Sequence, residues 1–150
     1  MNREPISLVI TTPLQVVVSA ENVTSFRAVD DSGDFGIQPG HTDMLSVLKS
    51  CVVRWREADD GWRYCALYGG VMTVEDGRMI RIACREGVVG ADLPELQADV
   101  RAHREAASQA ASSARVSQAR LHARAIRQIM RHLSSDHGMS VETALDEIFQ

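Results

Sequence analysis

Few side chains in this sequence have the types and spacing that catalysis requires. Asp34, His41 and Asp43 are titratable residues of one glycine-rich stretch, residues 33–44. His41 could exchange protons, but beyond Asp43 it has no evident acid–base partner. No serine stands in a G-x-S-x-G context, and the phosphate-binding patterns G-x-x-x-x-G-K-[ST] and G-x-G-x-x-G are missing. The stretch is therefore predicted to be a polar contact surface rather than an active site.

The other metal-binding and nucleophilic residue types are scattered. His103, His122, His132 and His137 all follow residue 100. Cys51, Cys65 and Cys84 lie in apolar, strand-like segments and show no C-x₂-C spacing. We expect buried, reduced thiols, no metal site and no cofactor.

Composition limits the class of protein. The 150 residues are 45% hydrophobic and 24% charged, with a net charge of −4, which is typical of a soluble globular chain. No apolar run approaches the roughly 18 residues of a membrane span. Because residues 1–15 also lack the features of a signal peptide, a cytosolic location without membrane insertion is expected.

The basic residues are unevenly distributed. Lys49 is the single lysine, and seven of the fifteen arginines fall between Arg101 and Arg131. Residues 93–133 contain no aromatic residue on which a base could stack. A nucleic-acid partner is therefore not expected.

The elements that must position the contact stretch are short strands. Between Ile6 and Cys84, apolar segments alternate with turns, and Asp59-Asp60-Gly61 and Glu75-Asp76-Gly77 are hairpin signals. The pattern predicts an all-β sandwich or barrel of about ten strands over residues 1–90. Gly33, Gly36, Pro39 and Gly40 predict a specified loop, since glycine permits positive φ and proline fixes φ. That loop should expose Asp34, Gln38, His41 and Asp43.

An alanine-rich segment follows, with Pro94 placed where a first helical turn tolerates it. We predict an antiparallel two-helix hairpin over residues 91–133, with its turn at Ser112-Ser113, which makes the whole chain α+β with two domains. The tail, residues 134–150, should begin with a break at Ser134, and Ser140 is placed to cap a short helix.

The second predicted helix, from about Arg115 to Leu133, has two opposed faces. Its apolar face, which includes Ile126, Ile129 and Leu133, should pack on the first helix. The other face is a sector of about 60° that we call the arginine stripe; it consists of Arg120, Arg124, Arg127 and Arg131. Without an acid at i±3 or i±4 these charges repel one another, which favours an acidic partner.

Three segments resemble the epsilon subunit of F-type ATP synthases. The family pattern G-[DE]-[LFM]-G-[IV]-x-P-G-H is similar to Gly33-Asp34-Phe35-Gly36-Ile37-Gln38-Pro39-Gly40-His41. Two supporting matches are Tyr68-Gly69-Gly70-Val71 and Gly90-Ala91-Asp92-Leu93. The resemblance spans residues 6 to 133.

The resemblance implies a non-catalytic rotor subunit of the central stalk, peripheral to the cytoplasmic face of the inner membrane. The family's sandwich joins the gamma subunit to the membrane c ring. The implied contact residues are Asp34, Phe35, Gly36, Gln38, Pro39, Gly40, His41 and Met44, with Asp34 toward the c ring and His41 and Met44 toward gamma. The residues alone leave a second function open, in which the chain is a free-standing β-sandwich adaptor that binds an acidic protein.

The resemblance also concerns regulation. The family's helices can extend and meet an acidic segment of a beta subunit, which inhibits ATP hydrolysis, and the arginine stripe suits that role. Some members bind ATP through [IL]-D-x-x-R-A. Here Pro94 and Gln97 replace the aspartate and the arginine, so no ATP sensing is expected.

Overall fold

The computed structural model describes residues 3–58 and 60–137, together with residue 148. These residues contain nine strands and a long helix: β1 (Ile6–Thr11), β2 (Val16–Asp30), β3 (Gly33–Ile37), β4 (Met44–Leu48), β5 (Cys51–Glu57), β6 (Trp62–Leu67), β7 (Gly70–Glu75), β8 (Met79–Cys84), β9 (Gly87–Gly90) and α1 (Leu93–His137). The chain divides into two compact units, Met1–Glu105 and Ala106–Gln150.

The strands form a β-sandwich because the long strand β2 belongs to both layers. One layer has the order β4-β7-β8-β1-β2, and the other continues as β2-β5-β6-β9, with β3 also paired to β2. The β1–β2 and β2–β5 ladders both shift register near Val23. Such bulges bend a strand and increase its twist, so β2 can pass from one layer to the next.

Alternating apolar side chains from both layers fill one core. Trp55 and Phe26 are its largest fully buried side chains, and they pack with Leu8, Met72 and Ile80 in a single cluster. The predicted all-β sandwich and the two predicted hairpins, β5–β6 and β7–β8, are confirmed. The pattern predicted short strands throughout, but β2 is a single strand of 15 residues.

The first three turns of α1 pack on the sandwich. Leu96 and Val100 are buried against Ala66 of β6. The backbone N–H of Glu95 donates to Oδ1 of Asp92 at 3.3 Å, so Asp92 caps the helix. This capped, packed end fixes where α1 starts.

The predicted turn at Ser112-Ser113 is wrong, because α1 continues through both residues. Residues 95–137 contain no glycine or proline, and flanking alanines outweigh the small helix cost of two serines. The predicted break at Ser134 is wrong too. The hydroxyls of Ser134 and Ser135 donate to the carbonyls of Arg131 and His132, at 3.0 and 2.9 Å, and the helix reaches His137.

Because α1 is one helix rather than two, the apolar face predicted after Arg115 has no first helix to pack on. Ile126, Ile129 and Leu133 are 39%, 58% and 55% exposed, so the prediction that they pack on a first helix is wrong. The short helix predicted from Ser140 lies outside the described residues. Within the described part of the chain, no segment of a helix is apolar enough over a sufficient length to cross a membrane.

Candidate functional site

The predicted contact stretch is half strand and half loop. Residues 33–37 form β3, which pairs with β2 so that Asp34 lies opposite Val29. Ile37 is buried in the core and ends the strand. Residues 38–43 then form a loop that leads into β4. The prediction of one continuous loop was therefore wrong for its first five residues, because β2 offers them a ladder of hydrogen bonds.

The loop is held against the turn between β7 and β8. The backbone N–H of Gly40 donates to the carbonyl of Gly77 at 2.9 Å, and the N–H of Asp76 donates to Oδ1 of Asp43 at 2.8 Å. A Cβ on Gly77 would lie 2.7 Å from Cα of Gly40. The two backbones touch, so neither segment can shift without the other. Each turn has a local sequence signal, but no local pattern indicated that the two would touch.

Further hydrogen bonds shape the loop from within. The N–H of His41 donates to the carbonyl of Gln38 at 3.1 Å, and Nδ1 of His41 lies 2.7 Å from the carbonyl oxygen of Thr42. The guanidinium of Arg3 donates to the carbonyl of Pro39 at 3.2 Å. A groove of about 310 Å³ runs along this side of the loop, lined in part by Arg3, Gln38 and His41. The polar groups of the loop thus have fixed directions.

The predicted contact residues fall into two groups. Asp34, Gly36, Gln38 and Gly40 are exposed, whereas Phe35, Pro39, His41 and Met44 are half-buried. Phe35 and Met44 pack against the core. Phe35 and Met44 therefore help to anchor the stretch to the sandwich, while Asp34 and Gln38 present polar groups at the surface.

Two carboxylates fix the borders of the stretch. Oδ1 of Asp34 lies 3.6 Å from the guanidinium of Arg27 in an exposed ion pair. At the end of β2, Oδ2 of Asp30 accepts a 2.7 Å hydrogen bond from the hydroxyl of Ser46 in β4. Hydrogen bonds from Ser32, and then from Ser46, lower the pKa of Asp30. No sequence pattern indicated the Asp30–Ser46 contact, which joins residues sixteen positions apart.

The arginine stripe lies along α1 in the second compact unit. Its four arginines are exposed and line one groove together with Ser117, Leu121 and Gln128. Residues 106–135 contain no acidic residue. The ion pairs found among residues 3–58 and 60–137 include none of the four. The four arginines thus form one exposed, positively charged surface on α1.

Neither surface contains a reactive set. The described residues hold no group of three or more His, Cys, Asp or Glu side chains that could bind a metal ion. Cys51, Cys65 and Cys84 are free and buried, as predicted. Burial raises the pKa of Cys65 to about 12, with smaller contributions from the neighbouring thiols, so this thiol stays protonated. The geometry is suited to binding.

Comparisons with known proteins agree with this picture. Residues 5–88 match the sequence family described as ATP synthase, Delta/Epsilon chain, beta-sandwich domain. The ATP synthase epsilon chain 2 of Cereibacter sphaeroides is 47% identical over 133 residues, which cover 89% of this chain and 91% of that protein. The ATP synthase epsilon chain 2 of Paraburkholderia xenovorans is 44% identical over 131 residues, which cover 87% of this chain and 94% of that protein.

A solved structure shares the fold. One chain of the Euglena gracilis mitochondrial ATP synthase, in a structure of OSCP, F1 and the c ring, superposes with a TM-score of 0.56 and 20% sequence identity. The aligned part covers 70% of this chain and 65% of that one.

Proposed function

This chain belongs to the family of ATP synthase delta/epsilon chains, and from that premise we propose that it is a non-catalytic rotor subunit of the central stalk. In this role the sandwich joins a gamma subunit to a membrane c ring. The subunit is peripheral, at the cytoplasmic face of the inner membrane. Residues 1–90 form the binding domain, and the helical segment that follows has the regulatory role.

The contact between the loop and the β7–β8 turn carries this proposal. A coupling part must transmit torque without yielding, and the Gly40–Gly77 and Asp43–Asp76 hydrogen bonds hold the loop in one shape. A surface fixed before binding loses little conformational entropy on association. We assign the exposed Asp34 and Gln38 to the c ring, and His41 and Met44 to the gamma side.

The arginine stripe supports a second, regulatory contact. Arginine forks pair bidentately with carboxylates, and Arg120, Arg124, Arg127 and Arg131 are exposed along one side of α1. We propose that they meet an acidic segment of a beta subunit and restrain ATP hydrolysis.

Co-purification with the organism's own gamma subunit and c ring tests the proposal. We expect the full chain and a truncation after Glu105 both to bind, because the truncation keeps Leu96 and Val100 in the compact first unit. The truncated form should also raise hydrolysis, since it lacks the stripe. Asp34→Arg should weaken binding to the ring, whereas Glu21→Arg, at another exposed acid, should not.

The outcomes separate the parts of the proposal. If the truncated form binds but hydrolysis does not rise, the protein is a coupling subunit without the regulatory role. Intact assembly of Asp34→Arg would remove that residue from the ring contact. Failure to bind gamma would contradict the rotor assignment. It would favour the alternative function, a free-standing adaptor for an acidic protein.

A further inference from the structure

The outer face of the layer formed by β2, β5 and β6 carries a concentration of arginines. Arg27 of β2 and Arg54 of β5 are direct partners across the ladder, and Arg56 follows two residues later on the same face. Like charges placed opposite one another in a sheet destabilise it. Such an arrangement needs local compensation or a partner.

Trp62 holds two of these arginines in place. It lies opposite Arg56 in the β5–β6 ladder, and its ring centroid is 5.1 Å from Cζ of Arg54 and 5.4 Å from Cζ of Arg56. Cation–π contacts of this length order the guanidinium groups over the indole. A stacked guanidinium keeps its N–H edge available for an acceptor. We call Arg54, Arg56 and Trp62 the Arg-Trp pad.

Within the part of the chain that the structure describes, carboxylates compensate only part of the charge. Asp34 pairs with Arg27 at 3.6 Å. The ion pairs found among the described residues include neither Arg54 nor Arg56. Beside Arg54 lies a groove of about 140 Å³, which Arg27, Leu93 and Gln97 also line. The pad therefore has two ordered cations next to a cleft that can take a side chain.

We propose that the Arg-Trp pad binds an extended acidic segment of a partner polypeptide, at a surface separate from the loop of residues 38–43 and from the arginine stripe. Alternate residues of an extended strand are about 6.8 Å apart, which is also the step from Arg54 to Arg56 along β5. Carboxylates at positions i and i+2 of the partner can thus meet one arginine each. One of these carboxylates can lie in the neighbouring groove beside Arg54.

A nucleic acid fits this surface less well. Base stacking needs an open aromatic face, and two guanidiniums already lie over Trp62. The next aromatic on this face, Tyr64, packs in the cluster with Leu96 and Val100. The pad presents two positive charges at the spacing of alternate residues in an extended peptide, and Tyr64 adds no free ring face for a base.

The two tryptophans give a local readout for the test. In the full-length protein, the indole N–H resonance of Trp62 reports on the pad, while Trp55 is 2% exposed and serves as the internal reference. The probe is the acetylated peptide Glu-Thr-Glu-Thr-Glu-Thr at low salt, where exposed charges are weakly screened. We expect the Trp62 signal to shift saturably and the Trp55 signal to stay. Both tryptophans belong to the first compact unit and the arginine stripe to the second, so the readout reports on the unit that contains the pad.

Matched variants isolate the arginines. The double substitution Arg54→Gln with Arg56→Gln should lower the affinity for the peptide by about tenfold or more, because two charge-assisted hydrogen-bonded pairs are lost. Arg81→Gln with Arg85→Gln, at arginines outside the pad, should leave its affinity unchanged. Glu-Glu-Glu-Thr-Thr-Thr should bind more weakly than the alternating peptide. If the double variant fails to fold by circular dichroism, Arg54→Lys, which keeps the charge and loses the fork, takes its place and should also weaken binding.

The proposal is overturned if no saturable Trp62 shift occurs, or if the folded pad variant binds as tightly as the parent. Equal affinity for inorganic phosphate at the same ionic strength would make the pad a general anion site and would overturn the peptide assignment. Tighter binding of a short oligothymidylate would overturn it in favour of a nucleic acid. None of these results depends on gamma or the c ring, so the proposed function is tested separately.

Discussion

At the residue scale, Gly77 shows how one missing Cβ fixes the proposed contact loop. Its φ is +65°, and a Cβ would lie 2.7 Å from Cα of Gly40, a backbone atom that cannot move aside. Gly77→Ala should lower the free energy of unfolding by about 2 kcal/mol or more, through backbone strain and overlap. Denaturant unfolding followed by tryptophan fluorescence measures the change.

Gly61→Ala is the matched control for this effect. Gly61 is also the last residue of a hairpin signal, but its φ lies outside the positive region and no atom lies within 4 Å of its added Cβ. Its unfolding midpoint should stay close to that of the parent. A midpoint for Gly77→Ala equal to that of the control would show that the loop and the turn separate freely.

The buried thiols make a prediction about alkaline pH. The pKa of Cys65 is raised from 9.0 to about 12, chiefly by burial. Since the folded state holds this proton more tightly than the unfolded state, the stabilisation is complete below pH 9 and is lost as pH rises toward 12. Unfolding in denaturant at a series of pH values should show this decline. Cys65→Ala should decline less steeply, and an identical slope would assign the effect to other groups.

At the element scale, the start of α1 is held by packing rather than by helix propensity alone. Leu96 is 5% exposed and packs in a cluster with Ala66. Leu96→Ala should cost about 2–4 kcal/mol of stability, because it leaves a cavity on the sandwich. Leu121→Ala, at a position 65% exposed in the same helix, should change stability by less than about 0.5 kcal/mol. Equal costs at both positions would contradict the docking of the first turns.

The arginine stripe is an element-scale feature because its four charges act through one helix face. Reversal of two of them, Arg124→Glu with Arg127→Glu, should raise ATP hydrolysis by the assembled complex by about tenfold if each arginine meets a carboxylate. Arg115→Glu lies off the stripe and should have little effect. Hydrolysis by the double variant that equals that of the parent would remove the stripe from inhibition.

The elements also show what a local pattern can predict. The hairpins and the onset of helix follow from turn residues and alanine content, and these predictions were correct. Alternation predicted the sandwich of strands, but it missed β3, which was expected as loop, and the 15-residue length of β2. The turn at Ser112-Ser113 failed because serine favours caps without excluding the helix interior. Whether a long alanine-rich segment folds back depends on what its apolar face contacts, which local propensity does not specify.

At the scale of the whole molecule, the departures from the family's ATP motif predict that the subunit does not sense nucleotide. Pro94 and Gln97 stand where an aspartate and an arginine would hold ATP, and Gln97 is exposed. Calorimetry of the full chain with millimolar ATP should show no heat of binding. A millimolar or tighter affinity would contradict the prediction, and Gln97→Arg is the variant that restores one missing group.

The sequence by itself determined the family, the β-sandwich, the two hairpins and the arginine stripe. The glycine-rich segment and the helical spacing of the arginines are local features of the sequence. The family resemblance, based on three short segments, was confirmed by a relative aligned over 89% of the chain.

Tertiary structure decided the rest. The Gly40–Gly77 contact and the Asp30–Ser46 hydrogen bond join residues far apart in sequence. Trp62 lies over Arg54 and Arg56 only because β5 and β6 pair in one register. Such contacts depend on which surfaces meet, and that is set by the global packing of strands rather than by any segment alone.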